Sequence, residues 1–373
     1  MINQPNEVQV TLMPNPIVPR TVALELLWGC NLKCNYCYVG TEKNWQHPVV
    51  PKISSLFAII DRIAAANVQE ICLVGGEPMA HPKFEEICKY VASSAIPVYG
   101  LCTNGTMITP SIAKMLKSLD FYIDLSFRGA HAETFDSITG MRGSFKKVLE
   151  GVRMLTEVGF SIGVEFDCTP QTSPELYDLI RMLVEQKAQI HQIFLHRISP
   201  QGDAASRSDK TQMTLEDYNR VFEQVRQITE EFSITTTFED GFPLCLTSET
   251  NWDYIVPCEC GTFFATIDPQ GNVRRCACHP NMLGNVLTTD LSTIWSSKLQ
   301  TFRSLSWLND ACKSCALLPQ CRGGCPVSSP NNPEGFAPDV FSDKFLPYRE
   351  SSQHTQQIKG LLGQNIINIK QKI

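Results

Sequence analysis

Residues 28–38 read Trp-Gly-Cys-Asn-Leu-Lys-Cys-Asn-Tyr-Cys-Tyr, and they follow an apolar run that predicts a strand over residues 21–28. Within this stretch Cys30, Cys34 and Cys37 have the spacing C-x3-C-x2-C. Thiolates are soft ligands that suit iron–sulfur clusters and zinc, and three of them leave one corner of a four-cornered site open. Catalytic metal centres keep such an open position, whereas structural ones are closed. The triplet therefore predicts a metal centre that binds a further ligand.

Composition and charge narrow the class of protein. The 373 residues carry a formal net charge of −6, so no basic excess is available for binding nucleic acid. The N-terminus lacks the basic start and apolar core of a secretory signal, and no apolar run is long enough for a membrane span. These features predict a cytoplasmic protein. In that compartment sixteen cysteines indicate metal ligation or catalysis rather than disulfides.

Predicted strands and helices alternate after the triplet. Strands are predicted at 70–74, 98–102, 121–126, 161–166 and 192–196, and helices at 53–66, 82–92, 110–117, 144–158, 174–185 and 214–231. Six β–α units in this order predict a parallel sheet with right-handed crossovers, either open or closed into a barrel. The alternation stops near residue 240, and nine cysteines follow between residues 245 and 325. We therefore expect a domain boundary between residues 235 and 250.

Polar residues follow several of the predicted strands. Gly75-Gly76-Glu77-Pro78 comes directly after the second strand, where the glycines allow a ligand to approach the backbone and Glu77 offers an acceptor to an ammonium group. Asn104 follows the third strand, and Asp124 and Ser126 end the fourth. The carboxyl ends of parallel strands meet at one rim, so we expect these side chains to lie close together.

The triplet, with Tyr36 before its last cysteine, and the Gly-Gly-Glu-Pro turn resemble the radical S-adenosylmethionine (SAM) enzymes. In that family three cysteines hold a [4Fe–4S] cluster whose free iron chelates SAM, and reductive cleavage of SAM gives a 5′-deoxyadenosyl radical that abstracts hydrogen. The resemblance implies an α/β fold, a partial (β/α)6 TIM barrel. It also implies a set of SAM-binding residues, namely Tyr36, Gly75, Gly76, Glu77, Pro78, Asn104, Ser126 and Arg142. Tyr36 would lie near the adenine, Glu77 at the methionine amino group and Arg142 near the carboxylate.

A second group of cysteines has the pattern Cys312-x2-Cys315-x5-Cys321-x3-Cys325, preceded by Cys260 and by Gly271-x4-Cys276. The C-x2-C part is also found in zinc ribbons. The whole pattern resembles the SPASM domain, a C-terminal cysteine-rich domain that holds two auxiliary [4Fe–4S] clusters in peptide-modifying radical SAM enzymes. The resemblance implies one cluster on Cys260, Cys276 and Cys325, with Cys258 or alternatively Cys245 as the fourth ligand. It implies a second cluster on Cys312, Cys315 and Cys321.

The second auxiliary site departs from the family pattern. Its remaining ligand is normally a cysteine before a proline, and here Leu346 stands in that place, with no cysteine after Cys325. The possible outcomes are an open iron, a substitute ligand such as Asp343 or Cys278, or no stable second cluster. We expect a cluster on three cysteines with an open or non-cysteine fourth site.

Other residues near the predicted rim also have candidate roles. Cys168, just past the fifth strand, is predicted to be catalytic as a hydrogen-atom donor to a substrate radical. Cys72 and Cys88 lie within predicted elements and are expected to be small buried apolar residues. His196 and Arg197 end the sixth strand and either line the cavity or pack at the strand end.

The resemblance divides the chain into an extension at 1–20, a radical SAM barrel at 21–240, a SPASM domain at 241–350 and a tail at 351–373. It favours a maturase that crosslinks, excises or epimerises a ribosomally made precursor peptide. The alternatives are a sulfatase maturase that forms formylglycine, another SPASM oxidase, or a non-catalytic iron–sulfur or zinc scaffold.

The partners expected on this reading are the precursor peptide and a flavodoxin or ferredoxin as electron donor, with neither nucleic acid nor membrane. Many relatives carry a leader-binding module before the barrel, and here only about 20 residues precede the first strand. We therefore expect a separate leader-peptide-binding protein. Apolar residues in segment 357–373 predict an amphipathic helix that packs on the barrel or binds such a partner.

Overall fold

Parallel strands form the centre of the fold. The computed structural model describes residues 16–40, 50–279, 281–329 and 337–345. Its strands are β1 (Thr21–Glu25), β2 (Glu70–Val74), β3 (Val98–Thr103), β4 (Tyr122–Phe127), β5 (Ser161–Cys168), β6 (Gln189–Arg197), β7 (Thr235–Phe238), β8 (Phe264–Ile267), β9 (Asn272–Arg274) and β10 (Gly284–Asn285). They make one sheet in the order β10-β9-β8-β1-β2-β3-β4-β5-β6-β7.

Helices cover the outer face of this sheet. They are α1 (Ile53–Ala65), α2 (Phe84–Ala92), α3 (Pro110–Ser118), α4 (Ala132–Thr139), α5 (Ser144–Glu157), α6 (Leu176–Glu185), α7 (Ser208–Thr211), α8 (Leu215–Phe232), α9 (Leu291–Ser297), α10 (Gln300–Arg303), α11 (Asp310–Lys313) and α12 (Leu318–Cys321). Each long helix buries one apolar stripe. On α8, for example, the buried side chains recur every three or four residues from Tyr218 to Ile228.

The strands separate two environments because their side chains alternate in direction. On β5, Ile162, Val164 and Phe166 are fully or almost fully buried against the helices. Glu165 and Asp167 lie on the other face and are partly exposed. The apolar core therefore lies between the sheet and the helices, whereas the inner face of the sheet carries polar groups.

The fold class predicted from the sequence is confirmed. Strands β1 to β7 are all parallel, in chain order, with helices in the crossovers. Within the barrel, α4, α7 and the seventh parallel strand β7 were not predicted. No elements were predicted after residue 240, where the structure has β8 to β10 and α9 to α12.

The C-terminal region joins the same sheet. Strand β8 pairs in parallel with β1, matching Phe264 to Thr21, and β9 and β10 continue the sheet antiparallel. Hydrogen bonding thus runs across the boundary expected near residues 235–250, and the domain limits stay a prediction. Leu346 and segment 357–373 lie outside the described residues. In the described part of the chain, no helix has the length and apolar character needed to cross a membrane.

Candidate active site

The cysteine loop, residues 28–40, leaves the carboxyl end of β1 and is held on two sides. On one side the backbone N–H groups of Lys33 and Asn35 donate to carbonyls at the end of α4, at 2.8 and 2.9 Å. On the other, the Cys37 carbonyl accepts from Asp203 N at 3.0 Å. A Cβ at Gly202, which has φ +55°, would lie 2.3 Å from that carbonyl. The loop is therefore fixed by packed backbone.

The three thiols of the cysteine loop are partly exposed. Burial raises the pKa of Cys34 to about 11 against the opposing effect of Arg128, and burial also raises the pKa of Cys30. Leu32 N donates to the Cys30 sulfur at 3.4 Å. Without metal these thiols stay protonated near neutral pH, so iron binding must release their protons.

The Gly-Gly-Glu-Pro turn packs against the start of the cysteine loop and supports it. Gly75 has φ +145°, and a Cβ at Gly76 would lie only 2.2 Å from the Gly29 carbonyl oxygen. The backbone N–H groups of Gly76 and Glu77 donate to the carbonyls of Leu27 and Gly29 at 2.8 and 2.9 Å. The two glycines are thus required for close packing of backbone on backbone at the rim.

The Glu77 carboxylate is 1% exposed and accepts three hydrogen bonds within the protein. Its donors are Thr103 Oγ1 at 2.8 Å, Met79 N at 3.1 Å and Asn104 N at 2.9 Å. Glu77 thus holds the ends of β2 and β3 together. Its contact with the SAM amino group stays a prediction.

A polar network continues from Asn104 to the cysteine loop. The Asn104 side-chain amide donates to Asn31 Oδ1 at 2.9 Å and lies 3.9 Å from the Cys30 sulfur. Asn31 in turn donates to Thr106 Oγ1 at 2.8 Å. Asn104 thus lies beside the triplet as predicted. Asn31 and Thr106 were not singled out in the sequence, although Asn31 follows the first cysteine directly.

Arg128 is a positive charge beside the cysteine loop that sequence reasoning missed. Its guanidinium is 5.7 Å from the centroid of the buried Tyr36 ring and 2.8 Å from Asp167 Oδ2. It also lowers the pKa of Cys34, in opposition to burial. The available signal was its position at the end of β4, two residues after Ser126.

Three predicted site residues occupy different environments. Ser126 faces the inner side of the sheet, with its hydroxyl 3.8 Å from the Cys102 sulfur. Arg142 is exposed in the turn between α4 and α5. Cys168 is fully buried, on the side of β5 that packs against the helices. That position faces the apolar core rather than the inner face of the sheet, and the role of Cys168 as a hydrogen donor stays a prediction.

The inner face of the sheet is acidic. His196 contacts Glu165 through Nε2 and Asp240 through Nδ1, the latter at 3.3 Å. Burial alone would lower the pKa of His196, but the two carboxylates raise it well above the ordinary value. Burial and the charge of Glu165 raise the pKa of Asp124. His196 therefore lines the cavity, one of the two alternatives considered for it.

Of the two cysteines expected to be small buried apolar residues, Cys72 and Cys88, one differs from expectation. Cys72 was expected to be a buried apolar residue, but it is partly exposed, and Tyr122 and Asp124 are among the groups that act on its pKa. Cys88 is fully buried in the core, as expected.

Arg197 takes the alternative role of strand-end packing. Its guanidinium binds both oxygens of Asp339 at 2.6 and 3.2 Å, and both side chains are almost completely buried. Asp339 also accepts from Cys325 N at 2.9 Å. A second buried pair, Arg274 with Glu25 at 2.5 Å, joins β9 to β1. Two ion pairs thus connect the barrel to the C-terminal region.

The C-terminal cysteines form two sets. In the first set, thiol–thiol hydrogen bonds link neighbouring members, and Cys325 lies close enough to act on their pKa values; the members are Cys258, Cys260, Cys276, Cys278 and Cys325. The second set lines one cavity, and its members are Cys245, Cys312, Cys315 and Cys321. Cys245, considered earlier for the first set, lies in the second. Asp343 is exposed, and Cys278 belongs to the first set.

The family models that match this chain indicate the kind of site that these cysteines form. A model described as the radical SAM superfamily matches residues 25–183. The model of the SPASM iron–sulfur cluster-binding domain matches residues 258–325. The chain belongs to the radical SAM superfamily. It is a radical SAM/SPASM enzyme, and SAM and [4Fe–4S] clusters are its cofactors.

Curated relatives cover most of this radical SAM/SPASM chain. It is 26% identical over 364 residues to the mycofactocin maturase MftC of Mycolicibacterium smegmatis, covering 91% of this chain and 89% of the relative. It is 25% identical over 324 residues to the AdoMet-dependent heme synthase of Methanosarcina barkeri, covering 82% and 90%. The two relatives carry names for different reactions.

Solved structures share the radical SAM/SPASM fold. Streptococcus suis SuiB bound to S-adenosylmethionine matches with a TM-score of 0.68 and 19% identity, over 87% of this chain and 77% of that one. The native anSMEcpe with bound AdoMet and Cp18Cys peptide matches with a TM-score of 0.67 and 19% identity, over 87% and 95%. At this identity the likeness establishes the fold alone.

The cysteines of this radical SAM/SPASM enzyme fit iron–sulfur clusters in chemistry and in arrangement. Three separate groups of thiols occur, at the cysteine loop and in the two C-terminal sets. Thiolates are the ligands that iron–sulfur clusters take, so each of these groups could hold one cluster.

Proposed function

We propose that this radical SAM/SPASM enzyme abstracts hydrogen from a ribosomally made precursor peptide during its maturation. When bound, the cluster and SAM supply a 5′-deoxyadenosyl radical for that abstraction. Similarity to mycofactocin maturases supports the peptide substrate, with 26% identity over 91% of this chain. The precursor peptide, the separate leader-binding protein and a flavodoxin or ferredoxin donor stay predictions.

The protein's own residues would perform three tasks. The cysteine loop would hold the cluster, with Asn104 and Arg128 at its open side to orient SAM. Tyr36 would pack near the adenine, as predicted from the family. The inner face of the sheet would receive the peptide segment, since it opens on the same rim. A polypeptide can enter such a cavity as an extended chain, with its backbone groups hydrogen-bonded to polar side chains.

The charge of the inner face determines which class of substrate we propose. Asp124 and Glu165 lie on this face, Glu239 is close enough to raise the pKa of Asp124, and Asp240 contacts His196. Among the described residues of this face, His196 is paired with two carboxylates and His191 lies 3.7 Å from Asp124. Such a surface favours neutral or cationic side chains and repels anions.

A second candidate is a tetrapyrrole substrate, favoured by the 25% identity to AdoMet-dependent heme synthase over 82% of this chain. Haem and its precursors carry carboxylate groups. Burying those groups beside Glu165 and Asp240, which together outweigh the one charge of His196, would be unfavourable unless a cation compensated for them. This electrostatic argument makes the peptide the first choice.

Isotope transfer tests the choice directly. The anaerobically reconstituted enzyme is incubated with SAM, dithionite and either a precursor peptide deuterated at carbon or a deuterated iron coproporphyrin. We expect deuterium in 5′-deoxyadenosine only with a peptide, together with a mass change in that peptide. Transfer from the tetrapyrrole and from none of the peptides encoded near this chain would overturn the proposal. The Cys34→Ala variant is the control for radical-independent exchange.

A further inference from the structure

The second C-terminal set contains one more cysteine than the family pattern assigns to it. Sequence comparison with the SPASM pattern supplies only Cys312, Cys315 and Cys321, and Leu346 stands where a fourth ligand is expected. Cys245 lies outside both family matches, which cover residues 25–183 and 258–325. We propose that Cys245 is the fourth protein ligand of the second auxiliary [4Fe–4S] cluster.

The lining of the cavity carries this assignment. Four thiols open into it, and the remaining lining residues are Pro243, Ala311, Leu317, Leu318, Gly323 and Phe345. Thiolate is therefore the ligand type that these side chains offer, and iron–sulfur clusters require soft ligands of this kind. The pocket between these side chains therefore brings four soft ligands to one place.

Backbone hydrogen bonds fix the position of Cys245. It is the middle residue of a short 3-10 turn, Leu244–Leu246, in which Leu246 N donates to Pro243 O at 3.0 Å. The buried indole of Trp252 donates to Leu244 O at 3.0 Å. Because this turn follows β7 closely, the end of the barrel positions the fourth sulfur, that of Cys245.

The same turn contacts another member of the set. Backbone N–H groups of Leu244 and Gly323 donate to the Cys321 sulfur, and N–H donors of this kind stabilise thiolate ligands. Cys245 itself lines the same cavity as Cys312 and Cys321. The turn that carries Cys245 therefore contacts the set directly.

Apolar side chains border the set. Leu305, Leu308, Leu318 and Phe345 pack with Cys312 and are at most 9% exposed. Cys312 is buried, while Cys245, Cys315 and Cys321 are partly exposed. With four thiolates no iron would remain open, so this cluster would transfer electrons or support structure and would not bind substrate. On this proposal the fourth site is closed by cysteine rather than open.

The test isolates the auxiliary clusters. A Cys30→Ala/Cys34→Ala/Cys37→Ala background removes the SAM cluster and, after anaerobic reconstitution, should hold about eight irons per chain in two clusters. Cys245→Ser and the pair Cys312→Ala/Cys315→Ala are added separately and together. Iron, sulfide and low-temperature EPR of the reduced protein are measured. Cys88→Ala controls for the loss of a buried thiol, and gel filtration with circular dichroism checks folding.

We expect Cys312→Ala/Cys315→Ala to remove one EPR signal and Cys245→Ser to shift or remove that same signal. Added to the pair, Cys245→Ser should change neither iron content nor the remaining signal, because coupled ligands are not additive. An unchanged spectrum for Cys245→Ser would overturn the proposal, as would loss of the other signal. If Cys245→Ser fails to fold, Cys245→Ala is tested by the same measurements. None of these readouts requires the peptide substrate.

Discussion

The cysteine loop near the start of the chain and the cysteine cavity near its end use the same chemistry in opposite ways. The loop presents three partly exposed thiols beside the polar side chains of Asn104 and Arg128. The cavity holds four thiols among apolar side chains. One arrangement offers polar partners to a further ligand, whereas the lining of the other offers thiols alone. Cysteine number and surroundings together, rather than spacing alone, thus distinguish the two regions.

The largest expected effect separates the two regions by activity. Cys34→Ala should reduce formation of 5′-deoxyadenosine from SAM at least about a thousandfold, because the open cluster activates SAM. Cys321→Ala, in the cavity, should keep substrate-independent cleavage within about tenfold of the parent while product formation falls further. Chromatographic assay of 5′-deoxyadenosine measures both. Equal loss in the two variants would remove the distinction between the regions.

The next effect concerns the anchoring of the C-terminal region. Arg197→Met should lower the free energy of unfolding by about 3–5 kcal/mol, because it leaves Asp339 buried without its partner. Replacing both residues, as Arg197→Met/Asp339→Leu, should recover much of that loss. Anaerobic urea denaturation measures it. The exposed pair of Arg181 with Asp178 provides the control, and Arg181→Met should cost less than about 1 kcal/mol.

A smaller effect is expected at the open side of the loop. Asn31→Ala removes the acceptor of the Asn104 amide, which should loosen Asn104 and raise the KM for SAM about fivefold, the value of one hydrogen bond. Iron content should stay unchanged. Steady-state cleavage assays check this, with Asn219→Ala on the exposed side of α8 as the matched control. An unchanged KM would show that the network does not order the ligand side.

The smallest effect lies below the loop, on the acidic inner face. Burial and the carboxylates of Glu165, Glu239 and Glu70 raise the pKa of Asp124, while His196 lowers it. The folded state therefore holds a proton that the unfolded state releases, so stability from this group falls as pH rises through the raised pKa.

Asp124→Asn removes this dependence. The variant should match the parent in Tm near pH 5 and exceed it by a few degrees at pH 8. Thermal unfolding at several pH values checks the trend, with the exposed Asp253→Asn as control. A difference that stays constant with pH would mean that Asp124 does not titrate in this way.

Much of the barrel could be read from the sequence because its signals are local. Apolar runs and their breaks gave β2 without error and most other strands to within about three residues. The pairing of β8 with β1 could not be read in this way, since it joins residues more than two hundred positions apart. Nothing near Phe264 distinguishes a strand that extends the barrel from one in a separate domain.

The sequence predicted the candidate site well where the spacing of ligands determines the chemistry. It predicted the site less well where the direction of a side chain determines its role. The three loop cysteines and Asn104 lie together as expected. Cys168 lies on the apolar side of β5, as Ile162, Val164 and Phe166 at the same parity already indicated. The place of Cys245 depends on a tertiary contact between the turn after β7 and α12, and such contacts leave no trace in cysteine spacing.

The pairing of strand β1 has a consequence for folding during synthesis of the chain. It carries the cysteine loop, yet one of its two edges is covered only by β8, whose residues emerge from the ribosome long after those of β1. Until then that edge has unpaired backbone groups, which attract other chains. The strand that supports the catalytic loop thus gains its second hydrogen-bonded neighbour late in synthesis. A fragment that ends before β8 should aggregate, and iron loading at the loop should follow docking of the C-terminal region.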